Sequence, residues 1–361
     1  SAADEITQWI LAERSPLLVG GPAGVGKSTE LARAAELLKP ERVACLVQLD
    51  RFENMRRLTP ERMLFRIADR VAGLAADILH LPLSSSLQGA LKQVTATLQS
   101  DWQPDFSGAS ILSAVCSEIT RVSRQGRLTF LIDGLEKVPY SPESVELFET
   151  LATIHDEVEL VVVIPWHAAF GPPAETVIRP GERFVAVRAL DVEAATGEPG
   201  REFLRKVLAQ RLRWNEDEFD PNAVIGTVGA SLDEARARVA ARRNLVNDAI
   251  RWSGGLPRVF LQLLADAGSY AKLRRSDPWP AIEDLNDACT DQGDSYRRLL
   301  LPGDVDAIRD AEGTSGSELE LQRKIRLMAH GILLERVRNG ARVLDVHPLA
   351  QVSLNNGGAR A

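Results

Sequence analysis

Cysteine is scarce in this chain. Cys45, Cys116 and Cys289 are the only three in 361 residues, and none is close enough to another to form a paired metal motif. That scarcity excludes a disulfide framework and predicts reduced, buried thiols in a cytoplasmic protein. Long apolar runs are missing too. No stretch approaches the roughly 20 residues needed to cross a bilayer, and no signal-peptide pattern opens the sequence, so no membrane partner is expected. Positive charge is not in excess. The net charge of −7 argues against a protein whose main business is coating nucleic acid, while leaving room for a local basic face. No internal repeat is present, and the chain begins at Ser1 rather than Met, which predicts a segment of a longer protein. The remaining composition, 45% apolar and 26% charged, is that of an ordinary soluble globular chain. Its length predicts two or three modules rather than one.

Apolar runs alternate with helical patterns through the first half. Leu17-Leu18-Val19, Val43–Leu49, Leu128–Ile132, Leu160–Ile164 and Phe184–Val187 read as buried strands. Helices are predicted at residues 1–14 (Ile6, Trp9 and Ile10 on one face), 29–38 and 144–155, with a helical insert over about 52–126. The insert starts at Thr59-Pro60, a cap followed by a first-turn proline, and has further helical stretches near 87–99 and 108–124. Uniformly apolar strands separated by helices predict a parallel sheet with helices on both faces and ligands at the carboxyl ends of the strands. From Arg201 the pattern is helical, at 201–214, 232–252 and 258–273, and it changes register again beyond about Asp284. Ile332–Val346 then carries Asn339-Gly340 between two β-prone runs, a strong hairpin signal that suggests a winged helix. The closing NNGGARA tail is expected to fray. These boundaries predict a nucleotide-binding domain over 1–195, a helical lid over 196–283 and a winged-helix domain over 284–361.

The chemistry concentrates in Gly21-Pro22-Ala23-Gly24-Val25-Gly26-Lys27-Ser28, which fits G-x-x-x-x-G-K-[ST] between a predicted strand and a predicted helix. Glycines let successive backbone N–H groups converge on phosphate oxygens, and the helix dipole beginning near Thr29 adds partial positive charge. Lys27 is placed to reach the β- and γ-phosphates of ATP or ADP, and the Ser28 hydroxyl to ligate Mg²⁺. A glycine-rich turn without a ligand is the competing reading. The second motif is Phe130-Leu131-Ile132-Asp133-Gly134-Leu135-Glu136, an apolar strand that delivers a carboxylate. Asp133 is the predicted second Mg²⁺ ligand, and Glu136 the base that orients and deprotonates water. Taken alone, the same stretch could be a strand-ending turn with two solvated acids.

Together, GPAGVGKST and FLIDGLEK resemble the STAND/NACHT branch of AAA+-related ATPases, whose acidic motif runs Asp-Gly-Leu-Asp/Glu. Origin-recognition-type relatives tend to place Glu directly after the Asp, where this chain has Gly134. The resemblance implies a P-loop NTPase parallel sheet followed by a small helical domain and a C-terminal winged helix. Through Ser253-Gly254-Gly255-Leu256-Pro257-Arg258 it implies that Pro257 packs near the adenine and Arg258 acts as a phosphate sensor. Through Asp345-Val346-His347-Pro348-Leu349 it implies that His347 contacts the ADP β-phosphate. The family more often has Met at the Val346 position and Asp at the Pro348 position. His167, after the fourth strand, is the polar candidate for a sensor. Arg179, Arg183 and Arg188 flank the fifth strand, where ring-forming relatives carry an arginine finger. Function by resemblance is a slowly hydrolysing ATP switch with a protein effector or sensor partner and nucleotide-dependent homo-oligomerisation. Two alternatives stay open: an origin-recognition-like DNA-binding ATPase and a ring-forming motor. Basic and acidic residues nearly balance from Arg297 onward, which is weak for a DNA reader.

Overall fold

Five apolar runs become five short strands, of which the three central ones are shielded on both faces. In the computed structural model, β1 (Leu17–Gly20), β2 (Val43–Gln48), β3 (Leu128–Asp133), β4 (Glu159–Val163) and β5 (Arg183–Ala186) form one parallel sheet in the order β2-β3-β4-β1-β5. The structure describes all residues except 13–14, 78–82, 100–104, 124–126, 140–141, 155–157, 171–182, 194–196, 215, 229–230, 276–278, 339 and 358–361. Every residue of β1, β3 and β4 is buried, so no alternation was available to read.

By contacts the chain divides into two units. One is Ser1–Gly21 with Lys27–Val187; the other is Pro22–Gly26 with Arg188–Ala361. In the first unit, α1 (Ala2–Leu11) is fixed at its start by a Ser1/Asp4 capping box and buries Ile6 and Ile10. It packs against α2 (Lys27–Leu38). The expected insert is a trio of helices, α3 (Pro60–Asp77), α4 (Ser85–Gln99) and α5 (Gly108–Val122), with Thr59 Oγ1 accepting from the Arg62 N–H. After β3 comes α6 (Pro142–Ile154), and after β4 the short α7 (Trp166–Phe170), which the sequence pattern did not reveal. Cys45 and Cys116 are buried and Cys289 is partly so. Burial pushes the Cys45 and Cys289 thiols up to about 12, as expected of unreactive thiols.

The second unit is mainly helical. Its elements are α8 (Glu198–Leu212), α9 (Pro221–Val228), α10 (Leu232–Trp252), α11 (Pro257–Arg275), α12 (Ile282–Arg298), α13 (Asp304–Ala311) and α14 (Leu321–Ala329). The antiparallel hairpin of β6 (Leu333–Arg338) and β7 (Ala341–Val346) follows, then α15 (Pro348–Gly357). Gly340 takes φ +78° in the hairpin turn, the conformation its Asn-Gly signal demands. Helix α12 starts two residues before the predicted register change, because the Asp284 carboxylate turns back to cap the Ala281 N–H at 2.8 Å. Helix α15 runs through Asn355 to Gly357, where fraying was expected. Asp304, fully buried, accepts from both Arg326 (2.6 and 2.7 Å) and the Leu301 N–H, and pairs with Arg323 at 3.2 Å.

One buried ion pair braces the sheet. Thr129 and Glu159 are register partners on β3 and β4, and the Thr129 hydroxyl donates to Glu159 Oε2 at 2.6 Å. Arg42 Nε donates to the same oxygen at 3.0 Å. Glu159 is 3% exposed and Arg42 11%. Removing the cation strands a carboxylate in the core, so Arg42→Met is expected to destabilise the chain by about 3–5 kcal/mol. Adding Glu159→Gln should recover part of that loss, and denaturant unfolding of both variants checks it.

Candidate active site

Register places the two predicted motifs at one edge of the sheet. Leu18 pairs with Val162, and Val162 with Ile132, so the next row puts Asp133 level with Val19 across β4. The strands carrying the phosphate loop and the acid are therefore two spacings apart, roughly 10 Å. The backbone after Gly20 and the Asp133 carboxylate emerge at the same carboxyl end.

The loop itself needs its glycines. Gly24 (φ +81°) and Gly26 (φ +106°) sit where an L side chain is strained. A Cβ at Gly26 would meet nothing within 4 Å, so at that position backbone conformation, rather than crowding, requires glycine. Lys27 opens α2 and is 6% exposed, and its Nζ donates to the Gly21 carbonyl at 2.9 Å. Ser28 and Thr29 follow in the first helical turn, both exposed. The loop tip, Pro22–Gly26, groups with the second unit. There the Arg258 N–H donates to the Gly24 carbonyl at 3.3 Å, and Pro257 and Arg258 begin α11 with the Arg258 side chain exposed.

Asp133 is 2% exposed and accepts from the Gly134 N–H at 3.0 Å. Gly134, at φ +99°, turns the chain into a single 3₁₀ turn, Leu135–Lys137, which carries Glu136. Burial raises the Glu136 pKa above the ordinary carboxylate range. Lys27 opposes the shift and Asp133 adds to it. The chain thus brings Lys27, Asp133 and Glu136 within electrostatic reach of one another. Glu136 Oε2 is buried with no hydrogen-bond partner, the condition of a group awaiting a proton donor such as water.

No cluster of three His, Cys, Asp or Glu side chains that could hold a metal occurs among the described residues. A divalent cation here would share phosphate oxygens with few protein ligands, as Mg²⁺ does, and Ser28 and Asp133 are the groups available. The orphaned Glu136 oxygen, near Lys27 and Asp133, fits such a group.

The remaining candidates have surroundings of their own. His167 is on α7, half-buried, with its pKa lowered by burial. His347 is fully buried in the second unit. Its Nε2 bonds the Ser253 carbonyl at 3.1 Å, its Nδ1 accepts from the Leu349 N–H at 3.2 Å, and its ring stacks on Tyr296 at 4.7 Å. Burial depresses its pKa to about 3. Both nitrogens are thus committed to protein partners, an arrangement the motif alone did not reveal. Arg183 pairs with Glu5 and lies over Trp9, and Arg188 pairs with Glu335 at 2.9 Å. Arg179 lies outside the described residues. Asp50 was missed. Because Gln48 pairs with Asp133, the turn after β2 necessarily runs beside Gly134, and this could have been inferred once those two strands were known to be neighbours.

No protein-family model and no curated relative matches the chain. Among solved structures, it is similar to the Orc1 protein of Aeropyrum pernix in complex with DNA, at 15% identity and TM-score 0.47, covering 98% of this chain and 90% of that one. It is also similar to the Thermotoga maritima RuvB Holliday junction branch migration motor, at 9% identity and TM-score 0.36, over 95% and 89% of the two chains. A third is the Drosophila ORC bound to AT-rich DNA and Cdc6, at 13% identity and TM-score 0.28, over 99% and 92%.

The half-buried Glu136 has a stability consequence. A folded-state pKa above the unfolded value means that ionised Glu136 weakens the folded state, a penalty absent below its ordinary pKa and growing as pH rises. Glu136→Gln is therefore expected to raise the melting temperature of the ligand-free protein at pH 7 and to leave it unchanged near pH 4. Thermal scans across that range check it.

Proposed function

We propose that this chain is an Mg²⁺-dependent ATP-binding and ATP-hydrolysing P-loop protein of the AAA+-related kind, working as a slow molecular switch. The observation that carries the reading is the gathering of Lys27, Asp133 and Glu136, whose Oε2 is buried without a partner, at the carboxyl end of the strands where the chain leaves β1. In this reading the loop N–H groups and Lys27 hold the phosphates, while Ser28 and Asp133 hold Mg²⁺. When bound, the metal neutralises charge on the β- and γ-phosphates. Glu136 orients the attacking water and accepts its proton, a role for which a raised pKa is suited. The Arg258 N–H on the Gly24 carbonyl gives the start of α11 a direct bond to the loop tip, a route by which occupancy could reach the helices beyond. His347 serves here as a pin, holding the end of β7 to the Ser253 carbonyl. Protein effectors and nucleotide-dependent assembly belong to the same proposal.

A second reading, a DNA-binding ATPase, is favoured by one feature. The β6–β7 hairpin, read as the wing of a winged helix, carries exposed Arg338 and Arg342 near its turn. Arg338 already pairs with Glu193 and Asp345, which weakens it as a phosphate contact. Salt-dependent binding to duplex DNA would favour this reading over the switch, and no binding even at low salt would remove it.

Lys27→Ala is expected to abolish detectable nucleotide binding. Glu136→Gln is expected to bind normally and to lose turnover by about 10²–10⁴-fold. Phosphate release and nucleotide binding measured on both variants check the assignments. A Gln variant that hydrolyses at the parent rate would show that Glu136 is not the base.

A further inference from the structure

Glu136 is held by the turn beneath it, and one of its two carboxylate oxygens, Oε2, is tied to nothing. Its Oε2 has no hydrogen-bond partner, and its backbone lies in the Leu135–Lys137 turn, closed by Lys137 N–H to the Gly134 carbonyl at 3.2 Å and Val138 N–H to the Leu135 carbonyl at 3.0 Å. Leu135 and Val138 anchor the inner side of that turn in the core. The outer side faces the one-turn 3₁₀ segment Leu49–Arg51 that follows β2. Two contacts tie them. A Cβ on Gly134 would lie 2.8 Å from the Asp50 backbone nitrogen and 2.9 Å from its Cβ and Oδ1, so the acidic turn is pressed directly against Asp50. The Lys137 ammonium then reaches over to donate to the Asp50 carboxylate.

We infer that Asp50 and Lys137 form a strut that positions Glu136, making Asp50 a positioning residue for the proposed hydrolysis. The inference rests on the reading of Glu136 as the base. The pair is well placed for such a role because it is expendable to the fold. Lys137 is 51% exposed and Asp50 21%, and exposed ion pairs contribute little to stability. Lys137 is also the neighbour of Glu136 in sequence, and its charge pulls the Glu136 pKa down. With Asp50 present, the ammonium is drawn to the outer side of the turn. With Asp50 gone, the turn loses its outer tie, and the freed ammonium can reach for the neighbouring Glu136 carboxylate, whose charge it already influences. Either change moves the base away from the water it must orient, and small misplacements at a reacting centre cost rate steeply. Phosphate binding by the loop is untouched, because neither residue belongs to it.

The test uses the full chain and Mg²⁺-ATP. Asp50→Ala and Lys137→Ala are each expected to lower kcat about tenfold with KM for ATP unchanged. The double variant should be no worse than the worse single one, since the two act as one unit. The charge swap Asp50→Lys with Lys137→Asp should recover most of the lost kcat. A merely structural pair would not give the kcat-against-KM split together with rescue by the swap. If the parent chain hydrolyses ATP and the single variants match its kcat, the strut is wrong and the Glu136 reading stands. A loss of kcat that the swap fails to restore also overturns the strut. If the parent binds nucleotide without turnover, the hydrolase reading fails and takes this inference with it.

Discussion

The alignment of strand ends is the constraint on which the site depends. Parallel pairing of β1 and β3 on either side of β4 leaves no freedom in where Asp133 can emerge relative to the loop after Gly20. A one-residue slip of β3 would turn the carboxylate to the opposite face and put an apolar side chain at the loop. The Thr129–Glu159–Arg42 contact on β3 and β4 opposes such a slip, because a displaced Glu159 would lose both donors inside the core. The fold thus pays for register at the far end of the strands and uses it at the near end.

Charge balance explains why this edge can hold so many ionisable groups. Asp133 raises the cost of ionising Glu136, and the buried Lys27 ammonium opposes that cost. Burial outweighs that help, consistent with the raised pKa of Glu136 and the empty hydrogen-bonding position at its Oε2. A polyphosphate with its metal would change that balance, which makes the protonation of Glu136 sensitive to what occupies the loop. The second unit is built on the opposite principle. There the buried Asp304 is met by two arginines and a backbone N–H, and His347 by two backbone groups.

Much of this was legible in the sequence because the signals were local. The loop glycines, the strand that ends in Asp133 and the Asn-Gly hairpin each follow from a few adjacent residues. Strand order was not legible, because β1, β3 and β4 are buried throughout and largely apolar, and nothing in their composition says which neighbours which. That gap hid Asp50, whose relevance comes only from β2 lying beside β3. It also hid the environment of His347, since Ser253 and Tyr296 lie far from it along the chain. The short helix α7 and the early start of α12 escaped for a different reason. Their boundaries are set by individual contacts, such as the Asp284 carboxylate on the Ala281 N–H, rather than by periodicity.

The central claim is that a main-chain cradle and one lysine grip a polyphosphate at the carboxyl edge of the sheet. Titration calorimetry of the folded chain with ATP and with ADP, each in the presence of Mg²⁺, tests it most directly. The account predicts saturable binding of both nucleotides at one site per chain. Absence of heat with either, on protein shown to be folded, would contradict it.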